Sequence, residues 1–432
     1  MSHLADLDEL AQGDLSGRRL GRYRIRHKLA EGGMADVYLG QILGEKGFER
    51  WVAVKVVHPA RTQDPQFAHM LADEARLIGR IHHSNVCSVI DFGIDQGLLY
   101  LVMEYLHGET LKAAMRRGWS EEGAFPAWLA ARAIADAARG LHAAHQLTDR
   151  EGKSLGLVHR DVSPENILIT YDGLSSVIDF GVLRARGRRA KTAAGVVKGK
   201  LSHMAPEQLR GDPVDRRADV WSLGVVLWES TLGRRLFRGE NQGELVEKVA
   251  LGPITPPSAI TPSYPRELEE IVMSALNRDV SERTPSAKTF AHQLDKYLHG
   301  LGRPAGCAEV SRWMQSVFSD RLMVREELLV APEDSGPLTL GIDDDESSTN
   351  ASIAGPVGPT SFAPPLPSDR SGLTAVDTPA ARAKAQSADP GNEIDSALEE
   401  LRRKDRQRSA ILSVAVFVAI GLALALGFVL LR

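Results

Sequence analysis

The order of hydrophobic and polar positions divides the chain into a strand-rich part, a helix-rich part and a long C-terminal part. Alternating and β-branched residues from Tyr23 to Met103 predict a small β-sheet, interrupted by a helix at Phe67–Ile81. From Leu111 to about Leu301 the periodicity becomes helical, as in Trp128–His145 and Val220–Leu232. The pattern therefore predicts an α+β fold in which a β-rich lobe precedes an α-helical lobe.

The same pattern of hydrophobic and polar positions predicts where each lobe begins and ends. Residues 1–20 are predicted to be a polar N-terminal tail, followed by a two-lobed domain at 21–301. Its N-lobe is placed at 21–106 and its C-lobe at 107–301.

A further amphipathic pattern predicts a helix over Glu309–Leu329 within a helical C-terminal extension at 302–331. Its apolar positions are Val310, Trp313, Met314, Val317 and Phe318. Packing of this helix against the large lobe is the simpler interpretation, and docking of a partner is the alternative.

The C-terminal part changes composition twice. Residues 332–395 are rich in Pro, Ser, Gly, Ala and Asp, which predicts a disordered linker because few large apolar side chains offset the ordering entropy. Residues 396–409 form a basic segment, and 410–431 carry no charge and only Ser413 as a polar side chain. As a helix this last stretch is roughly 33 Å long, enough to cross the hydrocarbon core of a bilayer.

The basic segment sets the expected orientation of that transmembrane helix. Its cations are Arg402, Arg403, Lys404, Arg406 and Arg408. Such clusters mark the cytoplasmic side and attract anionic lipid. The expected location is therefore the inner cell membrane, with one span and with the folded domain in the cytoplasm.

Charge and cysteine content narrow the class of protein. The net charge of −4 argues against a nucleic-acid-binding protein, and 43% hydrophobic residues supply a core. Cys87 and Cys307 lie in unrelated contexts, so both are expected to remain reduced and buried.

Six short motifs occur in one order over about 180 residues. They are the glycine-bearing turn Ala30-Glu31-Gly32-Gly33-Met34-Ala35-Asp36-Val37, Val52-Ala53-Val54-Lys55, Glu74, His159-Arg160-Asp161 through Asn166, Asp179-Phe180-Gly181, and Ala205-Pro206-Glu207. Each motif alone is weak evidence, whereas all six in this order describe a phosphoryl-transfer site.

The chain resembles the eukaryotic-like, or Hanks-type, serine/threonine protein kinases, and the Gly-Gly-Met turn resembles their bacterial branch. The resemblance covers about residues 20–300 and implies the bilobal protein kinase fold. It implies ATP and Mg²⁺ as cofactors, with Mn²⁺ as a substitute, and protein substrates. Membrane lipid is a further expected partner, nucleic acid is not one, and a homodimer remains open.

The resemblance also implies roles for individual residues. Lys55 would bind the α- and β-phosphates and pair with Glu74, and Asp161 would accept or orient the substrate hydroxyl proton. The implied catalytic set is Asp161, Lys55, Glu74, Ser163 and Lys200, and the implied metal ligands are Asn166 and Asp179. The implied ATP-binding residues are Leu29, Ala30, Glu31, Gly32, Gly33, Val37, Ala53, Lys55, Met103, Glu104, Leu106 and Leu168. Structural roles fall to Arg160, Glu207, Asp219 and Arg283, the last as the partner of Glu207.

Two positions depart from the pattern of the family. Where these kinases usually carry a lysine two residues after the catalytic aspartate, this chain has Ser163, and where they usually carry a threonine after Gly199 it has Lys200. In the family fold the two sites are neighbours, so we hypothesise that Lys200 supplies the charge that Ser163 lacks. The alternative is that Lys200 is a solvated loop residue and activity is impaired.

The segment Val182–Met204 is basic and contains Thr192, the best candidate for regulatory phosphorylation because phosphate there could pair with the nearby cations. The sequence thus predicts a membrane-associated serine/threonine kinase in bacterial signalling that is regulated by autophosphorylation. A pseudokinase scaffold and a tyrosine kinase are the alternatives from other functional classes.

Overall fold

The small lobe is built on a six-stranded antiparallel sheet. The computed structural model describes residues 14–43, 49–59, 65–180 and 201–330. The strands are β1 Arg19–Leu20, β2 Tyr23–Ala30, β3 Ala35–Leu43, β4 Glu49–Val57, β5 Val89–Asp95 and β6 Leu98–Glu104. They are ordered β1-β2-β3-β4-β6-β5, so β4 lies inside the sheet between β3 and β6.

Alternation along β4 separates the two faces of this sheet. Val52, Val54 and Val56 are buried in the core of the small lobe, whereas Ala53 and Lys55 between them are only half-buried. Because successive side chains of a strand point to opposite faces, Ala53 and Lys55 share the face away from that core.

Residues 14–20, predicted as the end of a polar tail, instead pack onto the small lobe. Leu15 and Leu20 are both buried in its core. The backbone N–H of Gly17 also donates to the carbonyl of Ile25 at 2.9 Å. Two leucines spaced along an otherwise polar segment, together with backbone hydrogen bonds to β2, hold it against the sheet.

One helix packs beside the sheet, α1 Pro65–Ile78. Leu71, Ala75 and Ile78 recur at helical spacing and are buried. The predicted helix continued to Ile81, but the observed one stops before Gly79, a residue that disfavours helix.

The large lobe is mainly helical and carries a second small sheet. Its helices are α2 Leu111–Glu121, α3 Ala127–His145, α4 Pro206–Arg210, α5 Arg217–Leu232, α6 Gln242–Leu251, α7 Arg266–Ala275 and α8 Ala287–Gly300. Strands β7 Gly108–Thr110, β8 Ile167–Thr170 and β9 Ser175–Val177 form the sheet in the order β7-β8-β9. The predicted α+β, two-lobed architecture is confirmed for the described residues.

Helices α3 and α5 form the centre of the large lobe. Nearly every residue of α5 is buried, as expected of a helix that is apolar on all sides. The many alanines of α3 allow neighbours to approach closely, and a Cβ added at Gly140 would lie 2.2 Å from the carbonyl oxygen of Asn85. This packing places β9 and the loop after α3 beside the cleft.

The C-terminal extension consists of two helices, α9 Cys307–Val317 and α10 Ser319–Val330, where the sequence predicted a single one. The break falls at Phe318, which is buried together with Val310 and Met314 in the core of the large lobe. The ring of Trp313 meets that of Phe125 edge-on at 5.6 Å. The apolar stripe therefore packs against the large lobe.

The two cysteines differ in their surroundings. Both are free thiols, but Cys87 is buried and Cys307 is exposed. Burial raises the pKa of the Cys87 thiol. Cys307 was expected to be buried too, yet it is the first residue of α9 and faces outward.

Among the described residues, no helix combines the length and the apolar composition that crossing a membrane requires. The predicted linker, basic segment and transmembrane helix at 332–431 lie outside the described residues.

A buried ion pair joins two distant parts of the large lobe. Arg283 donates to both carboxylate oxygens of Glu207, at 2.7 and 3.0 Å, and its guanidinium also donates to the carbonyl of Asn277 at 2.8 Å. Both side chains are almost completely buried. Because removal of one partner leaves an uncompensated buried charge, the pair should be sensitive to single substitution.

We expect Arg283→Met to lower the free energy of unfolding by about 3–5 kcal/mol, because Glu207 would lose its only bidentate partner in the described structure. Urea denaturation of the full chain measures this loss. The control is Arg266→Met, which breaks an exposed pair with Glu270 and should cost at most about 0.5 kcal/mol. Equal losses in both variants would contradict the assigned role of the buried pair.

Candidate active site

Lys55 lies on the cleft face of the central strand β4. Its register partners are Val37 on β3 and Leu101 on β6, so strands on both sides fix its backbone. The ammonium nitrogen is 2.7 Å from Oδ1 of Asp179, and the two side chains are 25% and 32% exposed. An ion pair of this kind, near the surface of a cleft, brings a residue of the small lobe against one of the large lobe.

Glu74 belongs to α1, the helix that follows the lysine strand. Its side chain lies outside the described residues, so the predicted pairing of Lys55 with Glu74 stays a prediction. The lysine partner that the structure does give is Asp179, which the sequence assigned to metal binding.

Asp219 on α5 holds the backbone of the loop that contains Asp161. Its carboxylate accepts from the backbone N–H groups of His159 and Arg160, both at 2.9 Å, and lies 2.7 Å from Nε2 of His145. Burial alone would raise the pKa of Asp219, but His145 and these donors hold it below its usual value. The aspartate is therefore an anion fixed inside the lobe.

The loop itself has an unusual backbone. Arg160 has φ of 65°, in the left-handed region that non-glycine residues rarely occupy. The next N–H, of Asp161, donates to Nδ1 of His159 at 3.2 Å. Such strain persists only where surrounding contacts determine it, and here the contacts with Asp219 do so.

Asp161 and Asn166 face each other across this loop. Nδ2 of Asn166 donates to the backbone carbonyl of Asp161 at 2.7 Å and lies 3.5 Å from its Oδ2 atom. A 3₁₀ turn at Pro164–Asn166 closes the loop, with the N–H of Asn166 donating to the carbonyl of Ser163. The amide is thus oriented by the same loop that presents the carboxylate.

Asp179 follows β9 and also has a left-handed backbone, with φ of 51°. The next residue, Phe180, is buried, and its ring lies 4.7 Å from the imidazole of His159. Nε2 of that imidazole is 3.4 Å from the carbonyl of Ile178. The two loops that carry Asp161 and Asp179 are therefore in direct contact.

Apolar residues of both lobes line the cleft above these carboxylates. Ala53, Leu106 and Ile178 pack against a cluster that includes the buried Met103 and Leu101. The remaining predicted members, Leu29, Val37 and Leu168, are likewise half-buried. Such apolar side chains, neither exposed nor enclosed, suit the walls of an open binding cleft.

Glu104 ends β6 at the connection between the lobes. Its backbone N–H donates to the carbonyl of Ser88 at 2.9 Å, and its own carbonyl accepts from Sγ of Cys87 at 3.5 Å. The predicted hinge is thus hydrogen-bonded to Cys87 and Ser88, the two residues that precede β5.

The glycine-bearing turn between β2 and β3 contains Ala30, Glu31, Gly32 and Gly33, the last three exposed. Sequence reasoning missed a charged cluster beside it. Asp36 is nearly buried, lies 2.9 Å from Nζ of Lys28 and 3.2 Å from Nε2 of His58, and accepts from the N–H of Gly32 at 3.4 Å. An acidic residue within a strand, with Lys28 on the preceding strand and His58 directly after the following one, was the available signal.

Ser163 and His203 line the same depression near Asp161. A small depression is lined by Arg160, Asp161, Val162, Ser163, His203, Met204 and Ser222. Nε2 of His203 is 3.2 Å from a carboxylate oxygen of Glu229, and both side chains are buried. Burial alone would raise the pKa of Glu229, but His203 and Arg235 hold it below its usual value.

The site connects to the buried pair of the large lobe through α4. Gln208 donates from Nε2 to the carbonyl of Arg160 at 3.2 Å, and the adjacent Glu207 is the partner of Arg283. Lys200, Thr192 and Gly181 lie outside the described residues, so their predicted roles stay predictions.

The oxygen donors in the cleft fit a magnesium ion. Asp179 offers a carboxylate and Asn166 an amide oxygen, and their loops meet through Phe180 and His159. Mg²⁺ is usually held by one or two carboxylates together with phosphate oxygens of a substrate. The residues present therefore fit a nucleotide-bound metal ion.

Comparison with known proteins agrees with this geometry. The family model described as "Protein kinase domain" matches residues 23–294. The chain is 40% identical over 300 residues to the tyrosine-protein kinase MasK of Myxococcus xanthus, covering 69% of this chain and 46% of that one. It is 33% identical over 282 residues to the serine/threonine-protein kinase PknH of Mycobacterium tuberculosis, covering 65% and 42% of the two chains.

Solved structures resemble the fold as well. The kinase domain of Mycobacterium tuberculosis PknI is 26% identical with a TM-score of 0.51, and the match covers 67% of this chain and all of that one. The chain spans about half the length of the curated relatives it matches. With a family match over more than half of its residues, this chain belongs to the protein kinase family, and its relatives include bacterial serine/threonine kinases of the Hanks type.

Proposed function

We propose that this chain transfers the γ-phosphate of ATP to serine and threonine hydroxyls of proteins. The observation that carries the proposal is that the loop with Asp161 and Asn166 contacts the loop with Asp179, and that Lys55 on strand β4 pairs with Asp179. In phosphoryl transfer the protein mainly positions the reactants and stabilises charge, and these four side chains are of the kinds that do so.

Each residue has a role that follows from its surroundings. Lys55 binds phosphate oxygens because its ammonium already takes an anionic oxygen as partner. Asp161 orients the substrate hydroxyl and accepts its proton, since its backbone is fixed through Asp219 and its carboxylate lies beside Asn166. Asn166 and Asp179 would hold Mg²⁺, which when bound would neutralise charge on the transferred phosphoryl group.

We expect Asp161→Asn to lower the rate of phosphate transfer by about 10²- to 10⁴-fold, because the proton acceptor is lost while the side chain keeps its size. The measurement is incorporation of labelled phosphate by the full chain with Mg·ATP and a protein substrate. Asp172→Asn, at an exposed position, is the control and should transfer at the rate of the wild type.

The same experiment identifies the hydroxyl that is modified. Phosphoamino-acid analysis and peptide mapping should find phosphoserine and phosphothreonine, including phosphate on Thr192 in the wild type only. Phosphate transfer to tyrosine is the second candidate function, because the chain is similar to the tyrosine-protein kinase MasK. Phosphotyrosine alone would establish that candidate, and nucleotide binding without any transfer would establish a scaffold.

The proposal includes the exchange of charge between Ser163 and Lys200. Ser163 is buried on the loop between Asp161 and Asn166, within the depression that also contains His203. A serine there leaves that part of the loop without a cation for the γ-phosphate. Lys200 directly precedes Leu201, which is described and buried.

We expect Lys200→Thr to slow phosphate transfer by about 10- to 100-fold, as for loss of a charge-assisted hydrogen bond. The double variant Ser163→Lys/Lys200→Thr should recover most of the rate, because the cation returns at the neighbouring position. Lys198→Thr removes an equal charge two residues away and serves as the control. A Lys200→Thr protein as fast as the wild type would exclude the exchange.

We further propose that the chain acts at the inner cell membrane with its kinase lobes in the cytoplasm. Support comes from the uncharged stretch at 410–431 and from the cations between Arg402 and Arg408 that precede it. Phosphorylation of Thr192 would regulate the enzyme there, since the surrounding segment is rich in arginine and lysine.

Cell fractionation tests this location. The full chain should sediment with membranes and stay there at high salt, and deletion of 410–431 should release it to the soluble fraction, because the apolar span is lost. A full chain recovered in the soluble fraction would contradict the proposed anchor.

A further inference from the structure

The C-terminal helix α10 carries two arginines onto one buried carboxylate. Nε of Arg325 lies 2.9 Å from Oε1 of Glu109, and Nη1 of Arg321 lies 3.3 Å from Oε2. The Glu109 side chain is 4% exposed and that of Arg325 is 12% exposed. Burial alone would lower the pKa of Arg325, but Glu109 raises it above its usual value.

Aromatic residues enclose this pair. The hydroxyl of Tyr171 donates to Oε1 of Glu109 at 3.0 Å, and the ring of His107 lies 4.9 Å from that of Tyr171 and 6.2 Å from that of Tyr105. Burial raises the pKa of Tyr105 and outweighs the neighbouring Arg325. We call Tyr105, His107, Glu109, Tyr171, Arg321 and Arg325 the extension cluster.

The extension cluster lies where the nucleotide cleft is attached to the large lobe. Tyr105 directly follows Glu104 and precedes Leu106, two residues assigned to the hinge. Glu109 on β7 pairs with Ile169 on β8, the residue after Leu168. The extension cluster is therefore connected to the hinge through Tyr105. It is also connected through Glu109 to β8, the strand that carries Leu168, a predicted wall of the adenine site.

The strand that connects them has little room to adjust. A Cβ added at Gly108 would lie 2.1 Å from the carbonyl oxygen of Ile169, so β7 and β8 are in close backbone contact. A shift of Glu109 must therefore move β8 as well. Because protein interiors are closely packed, a displacement of one strand is transmitted to the strand that it contacts.

Other contacts fix α9 and α10 independently of the arginines. Oγ of Ser311 donates to the carbonyl of Tyr171 at 2.7 Å. Arg117 on α2 donates to Asp320 at 2.8 Å, and its guanidinium lies over the ring of Phe318. The extension is thus a rigid support for Arg325, although it lies outside the matched kinase domain at 23–294.

We infer that Arg325 is a positioning residue for nucleotide binding, acting from the C-terminal extension through Glu109 and Tyr105 on the hinge. This inference rests on the proposed function, because it assumes that the cleft binds ATP. Loss of the guanidinium leaves Glu109 with a buried charge that is only partly compensated, which favours movement of the carboxylate towards other partners or solvent. Such a movement displaces β7 and the hinge that continues into it.

We expect Arg325→Met in the full chain to raise the Kd for Mg·ADP about 3- to 10-fold, since residues that act on a site through others change affinity by such factors. Titration with a fluorescent ADP analogue measures the Kd without any transfer step. The KM for ATP should rise by a similar factor with little change in kcat. Arg325→Lys keeps the cation and should restore most of the affinity.

Two controls separate positioning from stability. Met314→Ala removes a buried side chain of α9 that lies outside the extension cluster, and should lower Tm without changing the Kd. Arg312→Met breaks an exposed pair with Glu309 and should change neither quantity. Arg325→Met with a lowered Tm and the nucleotide affinity of the wild type would overturn the inference. A wild-type chain that binds no nucleotide would instead refute the proposed function on which it rests.

Discussion

The carboxylate of Asp219 is the group on which the geometry of the active site depends. It is fully buried in α5, a helix whose other residues are mostly apolar, so its charge requires compensation from the chain itself. Two backbone N–H groups of the catalytic loop and His145 provide that compensation. The left-handed backbone of Arg160 accompanies this arrangement, in which two successive N–H groups donate to one carboxylate.

From this loop the contacts continue in two directions. His159 packs against Phe180 and so places Asp179, which reaches Lys55 of the small lobe. Gln208 joins the carbonyl of Arg160 to α4 and to the buried pair beyond it. The loop with Asp161, the loop with Asp179 and the base of the large lobe therefore form one connected set. Displacement of one part therefore affects the others, since these contacts are buried or half-buried and directly linked.

Three buried carboxylates to which the sequence analysis assigned no role have a common property: each fixes an element beside the cleft. Asp36 joins neighbouring strands next to the glycine-bearing turn, and Glu229 lies beneath His203 near the catalytic loop. Glu109 takes two arginines from a helix far along the chain. Buried ion pairs are poor sources of stability compared with apolar packing, so their value here is the geometry they impose.

The sequence by itself determined the chemistry and the class of fold. Lys55, Asp161, Asn166 and Asp179 stand in motifs whose order and spacing are specific, and alternating and β-branched residues indicated the strands of the small lobe. The apolar stripe after Leu301 also indicated helix, because spacing by three and four residues is a local property of the chain. Helix boundaries were less accurate, since a single buried residue such as Phe318 can end one helix and begin another.

Only the tertiary structure decided which charges meet. Arg325 and Glu109 are separated by 216 residues, and nothing in the surroundings of either residue along the chain identifies the other. Leu15 and Leu20 likewise belong to a segment that is mostly polar. They are buried because the folded sheet presents an apolar surface against which they pack. Local patterns specify how a segment folds, whereas a buried ion pair depends on how folded segments pack, and packing is a property of the whole chain.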